Sequence, residues 1–278
     1  MNIYNFDAST YEFLSWINHQ GFKRVSSPDD AEVWYVHFRS LEGADTEKLK
    51  YVLCPCTNIL HLGEIPENVK VIYLDDKKFL FENVRSTAEA TLWSMLSLVK
   101  MHNDEIHHKT VGIVGMGRVG QQVTQMLQGF NCNVIFYDPS DYWEPYQSMR
   151  NVERVDYMQL LERSDIITLH CTADESTRDL ITIKDFVAMK KVPYFINNAR
   201  GMCVNGESLL QAAKNNFIKA FSIDVIDTYS TLTIKALNAI AENESSLLTG
   251  HNAGKGHRSR LETDRYVYLK LLEVLRND

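Results

Sequence analysis

The chain has 278 residues, 45% hydrophobic and 23% charged, with 29 Lys+Arg against 36 Asp+Glu and a net charge of −7. This composition is that of one or two packed globular domains and excludes a disordered, collagen-like or disulfide-stapled chain. Mild acidity without a basic block makes a poor nucleic-acid binder, and no apolar run reaches the roughly 18–20 residues of a membrane span.

The first residues lack a basic stretch followed by an apolar core, so no secretory leader is expected. Residues 3–6 read as a strand. Over 11–19, Tyr11, Leu14 and Ile17 recur at helical spacing, and Gly21 follows as a stop. Residues 33–38, 51–53 and 69–74 read as buried strands. Ser86 and Glu89 form a capping-box pattern ahead of a helix over 88–101. That helix carries Leu92, Met95, Leu96 and Val99 on a wide apolar face, which predicts burial on more than one side. A second series follows, with strands over 110–114, 133–137, 165–170, 194–197, 220–224 and 247–249. Helices are predicted over 118–128, 157–163, 183–189, 207–214 and 258–276. Alternating strands and helices with short connections predict parallel sheets covered by helices.

Cysteine use points to a reducing, cytoplasmic setting. The five cysteines are odd in number and scattered, as small buried hydrophobes would be. Cys54-Pro55-Cys56 is the only close pair, with His61 nearby, and no second pair has zinc-finger spacing. No metal is therefore expected.

The sharpest motif is Gly115-Met116-Gly117-Arg118-Val119-Gly120, a G-x-G-x-x-G placed between a strand and a helix. Gly115 permits a tight turn, Gly117 lets a pyrophosphate approach the backbone, and Gly120 lets helix and strand pack closely. The amides around Arg118 and Val119, at the positive end of the helix dipole, suit phosphate. Asp138 lies eighteen residues past Gly120, after the next strand, where a carboxylate can accept from ribose hydroxyls and repel a 2′-phosphate. NAD is therefore expected rather than NADP.

Three later segments carry a resemblance. His170-Cys171-Thr172-Ala173-Asp174-Glu175-Ser176-Thr177-Arg178 resembles the H-x-P-x-T-x-x-T-R stretch of the D-isomer-specific 2-hydroxyacid dehydrogenases. Ile196-Asn197-Asn198-Ala199-Arg200-Gly201 resembles their I-N-x-A-R-G signature, and the strand ending in Asp224-Val225 resembles the one that follows it. Thr249-Gly250-His251-Asn252-Ala253-Gly254 resembles their T-P-H-x-x-G segment. The phosphoglycerate dehydrogenase branch looks nearest. The resemblance implies a Rossmann-type doubly wound α/β domain over 85–258, with a smaller flavodoxin-like α/β substrate domain over 1–84 plus 259–278.

It also implies roles. Arg200 would orient the substrate carboxylate with a planar guanidinium, and His251 would move the hydroxyl proton, as an imidazole can near neutrality. Cys171, Thr172, Asn198, Ala199, Asp224, His251 and Gly254 would line the cofactor site. Thr57, Asn58 and Arg39 would add substrate contacts. The implied activity is NAD-dependent hydride transfer between a D-2-hydroxy acid and its 2-keto acid, in a homodimer. Two departures stand out. Where the family places a Glu or Gln partner for the histidine, this chain has Tyr229, with Asp227 the nearest acid. The segment from Lys100 to Lys109 lacks the family's dimerisation arm. The other reading is a catalytically impaired NAD(H)-binding sensor or protein-interaction module of the same fold.

Overall fold

Two all-parallel sheets organise the chain, which divides into a unit of residues 1–84 with 256–278 and a unit of residues 85–255. The computed structural model describes residues 1–6, 11–37, 39–57, 59–140, 149–226 and 228–277.

In the first unit the strands are β1 (Asn2–Asn5), β2 (Lys23–Arg24), β3 (Val33–Tyr35), β4 (Tyr51–Cys54) and β5 (Lys70–Tyr73), ordered β2-β1-β3-β4-β5. This is the flavodoxin-like order. Its helices are α1 (Tyr11–His19), α2 (Lys77–Asn83) and α9 (His257–Asn277). Every residue of β3 and β4 is buried, as expected of strands covered on both faces. Phe13 and Ile17 of α1 share one apolar cluster with Val267, Tyr268 and Leu271 of α9. Tyr35 of β3 donates a hydrogen bond to Asp264 of α9 at 2.5 Å, tying the last helix to this sheet.

The second unit has strands β6 (Thr110–Val114), β7 (Asn133–Tyr137), β8 (Val152–Arg154), β9 (Ile166–Leu169), β10 (Tyr194–Asn197), β11 (Ala220–Ile223) and β12 (Leu247–Leu248). Their order is β12-β11-β10-β9-β6-β7-β8. Helices α3 (Ser86–Met101) and α4 (Arg118–Leu127) cover one face, with α5 (Tyr157–Arg163), α6 (Ile183–Ala188), α7 (Gly206–Lys214) and α8 (Thr231–Glu244) on the other. Alternate residues feed the two cores: Ile166, Tyr194 and Ile196 one, Ile167, Phe195 and Phe221 the other. This is the Rossmann arrangement, and it reverses direction between β6 and β9, the place where such sheets bind ligands.

Among the described residues, four strands and α-helices lie outside the sequence expectation: β2, β8, α2 and α8. The first two are short edge strands, exposed along much of their length. Helix α8 begins after Ser230, whose hydroxyl caps the Thr233 amide at 3.1 Å, a start signal that the Thr- and Ile-rich run behind it obscured. The capping box at Ser86 does not form. Ser86 is the first helical residue, and its hydroxyl donates to the Ala253 carbonyl at 2.7 Å instead.

Within the single chain, helix α3 is buried on one side only. It buries Ala88, Thr91, Ser94, Met95, Leu98 and Val99, whereas Trp93, Leu96 and Met101 are 51%, 39% and 45% exposed. Two of the buried residues are polar because each meets a partner: Ser222 donates to Ser94 at 2.9 Å, and Asn198 donates to Thr91 at 3.0 Å.

Candidate active site

In a parallel sheet all carboxyl ends lie along one edge. The candidate residues of the larger unit follow strands β6, β7, β9, β10, β11 and β12 and so share that edge.

At the end of β6, Gly115 turns with φ +95°, and a Cβ there would lie 2.7 Å from the Cys171 amide nitrogen. The Gly-rich turn therefore touches the loop after β9, at the switch point. A Cβ on Gly120 would lie 2.2 Å from the Gly115 carbonyl oxygen, so α4 approaches β6 as only glycine permits. Gly117, the N-cap of α4, differs: no atom lies within 4 Å of where its Cβ would stand, and no side chain caps the helix. That open approach to an uncapped ten-residue helix fits a pyrophosphate. Arg118 is half-buried beside it, with burial lowering its pKa, and Val119 packs against the α3–α4 core.

Asp138 follows β7. Its carboxylate accepts from the Met116 amide at 2.7 Å and from the Ser140 amide and hydroxyl at 2.8 and 2.6 Å. It thus ties the Gly-rich turn to the loop after β7. Arg154 of β8 donates to the Asp138 carbonyl at 2.8 Å, a contact missed with the strand that carries it.

After β9, His170 is half-buried, with its Nδ1 enclosed and its Nε2 3.0 Å from the Thr168 hydroxyl. Burial pushes its pKa down to about 3. The folded chain holds it neutral, while the unfolded chain takes up a proton near pH 6.5. Its contribution to stability is therefore complete above pH 6.5 and is lost as pH falls toward 3. One pKa unit is worth about 1.4 kcal/mol, so lowering pH from 6.5 to 5 should cost about 2 kcal/mol through this group. Urea midpoints measured across this range should slope less steeply in His170→Leu than in wild type; parallel slopes would remove His170 from the acid sensitivity. Next in the loop, Cys171 is half-buried and Thr172 exposed. A hydrogen bond shared with Cys203, together with burial, pushes the Cys171 thiol up.

After β10, Asn197 acts as a clamp that the sequence reading left without a role. Its side chain accepts from the Ala199 amide and donates to the Arg200 carbonyl, both at 3.0 Å. Ala199 is buried, and Arg200 is exposed, with its guanidinium donating to the Ala199 carbonyl at 2.7 Å. The Asn198 side chain turns into the core toward Thr91 and not toward solvent.

After β11, Asp224 is 3% exposed. Its carboxylate accepts from the Thr249 hydroxyl at 2.6 Å and from the amides of Asn252 and Ala253 at 2.8 and 3.1 Å. The loop after β12 is thereby held on β11. Within it His251 is exposed and left-handed at φ +56°, its amide donating to the carbonyls of Asp224 and Thr249. Gly254 is exposed near Thr87. Tyr229 is 9% exposed and belongs to the core, its ring lying against Gly206 at the start of α7. Asp227 lies outside the described residues.

In the smaller unit, Thr57 and Arg39 are exposed, and the Arg39 guanidinium lies 4.8 Å above the Phe6 ring. Asn58 lies outside the described residues. Cys54, Cys56 and His61 come together, their ligand atoms all within 4.8 Å of one another, which their spacing had not suggested.

A glycine turn at the switch point, an open helix N-terminus and an acid after the second strand define a Rossmann-type dinucleotide-binding protein. The family model described as D-isomer specific 2-hydroxyacid dehydrogenase, NAD binding domain, matches residues 80–253. The chain belongs to this family, and the matched residues take in nearly all of the larger unit. It is 39% identical over 124 residues to the D-3-phosphoglycerate dehydrogenase of Methanocaldococcus jannaschii, covering 44% of this chain and 24% of that one. It is 36% identical over 123 residues to the glyoxylate reductase of Thermofilum pendens, covering 44% and 36%. The matched region thus spans about a quarter to a third of these curated relatives. In fold the chain is similar to the apo D-lactate dehydrogenase of Escherichia coli, with a TM-score of 0.81 at 19% identity, covering 100% of this chain and 98% of that one.

Proposed function

We propose that this chain is an oxidoreductase acting on a D-2-hydroxy acid and its 2-keto acid. Bound NAD would supply the hydride acceptor or donor. The observation that supports this reading best is the common sheet edge, where Arg200 and His251 are exposed on loops clamped by buried Asn197 and Asp224. The Arg200 fork binds the carboxylate and orients C2, and His251 takes the hydroxyl proton in oxidation and returns it in reduction. The smaller unit is the substrate domain, contributing Thr57, Asn58 and Arg39. The test is turnover of a panel of 2-keto acids with NADH. Loss of the proton-transferring group costs typically 10²–10⁴-fold, so His251→Ala should lower kcat by about a thousandfold, with Arg200→Ala raising KM as well. An unaffected His251→Ala rate would take His251 out of the mechanism.

A second reading has its own observation. Among the described residues no hydrogen bond holds the His251 ring, and Tyr229 is packed in the core. A chain that binds NADH but reduces no keto acid would be a sensor of NAD(H) or a protein-interaction module.

We also propose a cytoplasmic homodimer. Cysteine use favours a reducing compartment, and no described helix is long and apolar enough to cross a membrane. Trp93 and Leu96 leave an apolar outer face on α3, the kind of patch that marks an interface. Wild type should sediment at twice the chain mass at micromolar concentration, and Trp93→Glu with Leu96→Glu should sediment as single chains. A wild-type monomer would overturn the assembly.

A further inference from the structure

Strand β4 ends on Cys54, and the chain leaves it through a turn that the Cys-Pro-Cys sequence shapes. The Cys56 amide donates to the Cys54 carbonyl at 2.7 Å, a three-residue turn with Pro55 at its centre. Proline fixes φ near the value such a turn needs. The turn brings the two thiols into one cluster. The Leu74 amide holds the Cys56 carbonyl at 3.0 Å, so the turn is anchored to the segment after β5.

The third group comes from a separate local structure. His61 sits in a single 3-10 turn, Leu60–Leu62, whose Leu62 is fully buried and whose Leu62 carbonyl accepts the Leu41 amide at 2.8 Å. That packing sets His61 Nε2 3.8 Å from Cys54 Sγ. The three ligand atoms lie within 4.8 Å of one another, with Cys54 buried and Cys56 and His61 half-buried.

We infer that Cys54, Cys56 and His61 form a metal site in the smaller unit, one that takes a thiolate-binding divalent ion, zinc by the chemistry of its donors. Two thiolates and an imidazole are a common zinc set, and bond lengths of about 2.3 Å to sulfur and 2.0 Å to nitrogen put tetrahedral S and N donors about 3.5 Å apart. The observed 3.8 Å between Cys54 Sγ and His61 Nε2 requires little adjustment, whereas Cys56 Sγ, which donates to the His37 carbonyl at 3.3 Å, must give up that contact to close on the ion. Two thiolates balance the dication, which makes the buried position of Cys54 tolerable for a charged ligand. Three protein donors leave a fourth position for water or a small ligand. Binding releases the two thiol protons and ties the turn after β4 to the 3-10 turn of His61. Thr57, which follows Cys56 directly, would be ordered with it. That last consequence alone rests on the functional reading above.

The experiment uses the full chain, purified under reductant from zinc-supplemented cells, with zinc measured by elemental analysis. The metal-free chain is then titrated with Co(II). About one zinc per chain is expected, with a thiolate-to-cobalt charge-transfer band and tetrahedral d–d bands on titration. Cys56→Ser and His61→Asn, chosen because neither side chain is fully buried, should each weaken Co(II) binding by more than the roughly 10–100-fold that an outer-shell loss costs. Circular dichroism of the metal-free variants checks that they fold. Zinc far below one equivalent, the absence of a charge-transfer band, or unchanged binding in both folded variants would overturn the site. These readouts do not involve dehydrogenase turnover, so they stand or fall separately from the proposed activity.

Discussion

Gly120→Ala is expected to destabilise the larger unit by about 3 kcal/mol, the upper end of ordinary overpacking. The added Cβ would stand 2.2 Å from the Gly115 carbonyl oxygen, and that neighbour is backbone in a turn which itself needs φ +95°. Neither the helix nor the turn has a flexible side chain to move aside. Gly117→Ala, three residues earlier, should behave in the opposite way. Its Cβ meets nothing within 4 Å, so the fold should change by about 1 kcal/mol or less, the usual scale for an N-cap change. The same methyl would fill the approach by which a pyrophosphate reaches the α4 amides. NADH affinity should fall at least tenfold, equivalent to about 1.4 kcal/mol. Urea unfolding and NADH fluorescence titration of the two variants separate the effects. If both variants lose stability and affinity together, Gly117 is a structural glycine and not the opening to the cofactor.

Asp224→Ala should have an effect of similar size through a different route. The buried carboxylate satisfies three donors of the loop after β12, and removing it leaves the Asn252 and Ala253 amides without that acceptor. Hydrogen bonds to charged groups are worth about 1.5–3 kcal/mol each and do not add fully, so a loss of about 3–4 kcal/mol is expected. The loss should be concentrated locally. Amide exchange at Asn252 and Ala253 should quicken roughly a hundredfold more than exchange in β10, because the loop opens before the sheet does. His251 sits in that loop at φ +56°, a backbone region that a non-glycine residue keeps only when its surroundings hold it there. Keto-acid reduction should fall with the loop's order even though Asp224 need not touch the substrate. Uniform acceleration of exchange across the sheet would show a global fold residue and not a clamp for the loop.

Tyr229 illustrates how a motif position can mislead. By alignment of pattern it stands where a carboxylate partner for His251 would be sought. In the fold its ring closes the core over Gly206, at 2.9 Å from where a Cβ on that glycine would be. The mutation Tyr229→Glu would put a carboxylate into an apolar cluster, and it is a poor way to restore a partner for His251.

The alternation of apolar runs and amphipathic segments was enough, by itself, to determine two parallel α/β sheets and the place of the Gly-rich turn. Those features are written in short-range periodicity, and each needs only the residues within one βα unit. The sequence alone also put Asp138, Arg200 and His251 after strands and Asp224 at the end of one, because strand ends are marked by local composition. What each side chain does there was decided by partners far away in the chain. Asn198 faces Thr91, Ser94 faces Ser222, and the Asp224 carboxylate holds a loop some 28 residues further on. Helix α3 reads as apolar all round, yet the sheet takes its Thr and Ser face and leaves Trp93 and Leu96 outside, since a polar pair satisfied inside the fold costs little. Cys54, Cys56 and His61 lack the spacing of a metal motif, and only the packing of Leu62 draws the histidine back over the thiols. Periodicity reports which face of an element is buried; what that face meets is set by topology, which no local pattern encodes.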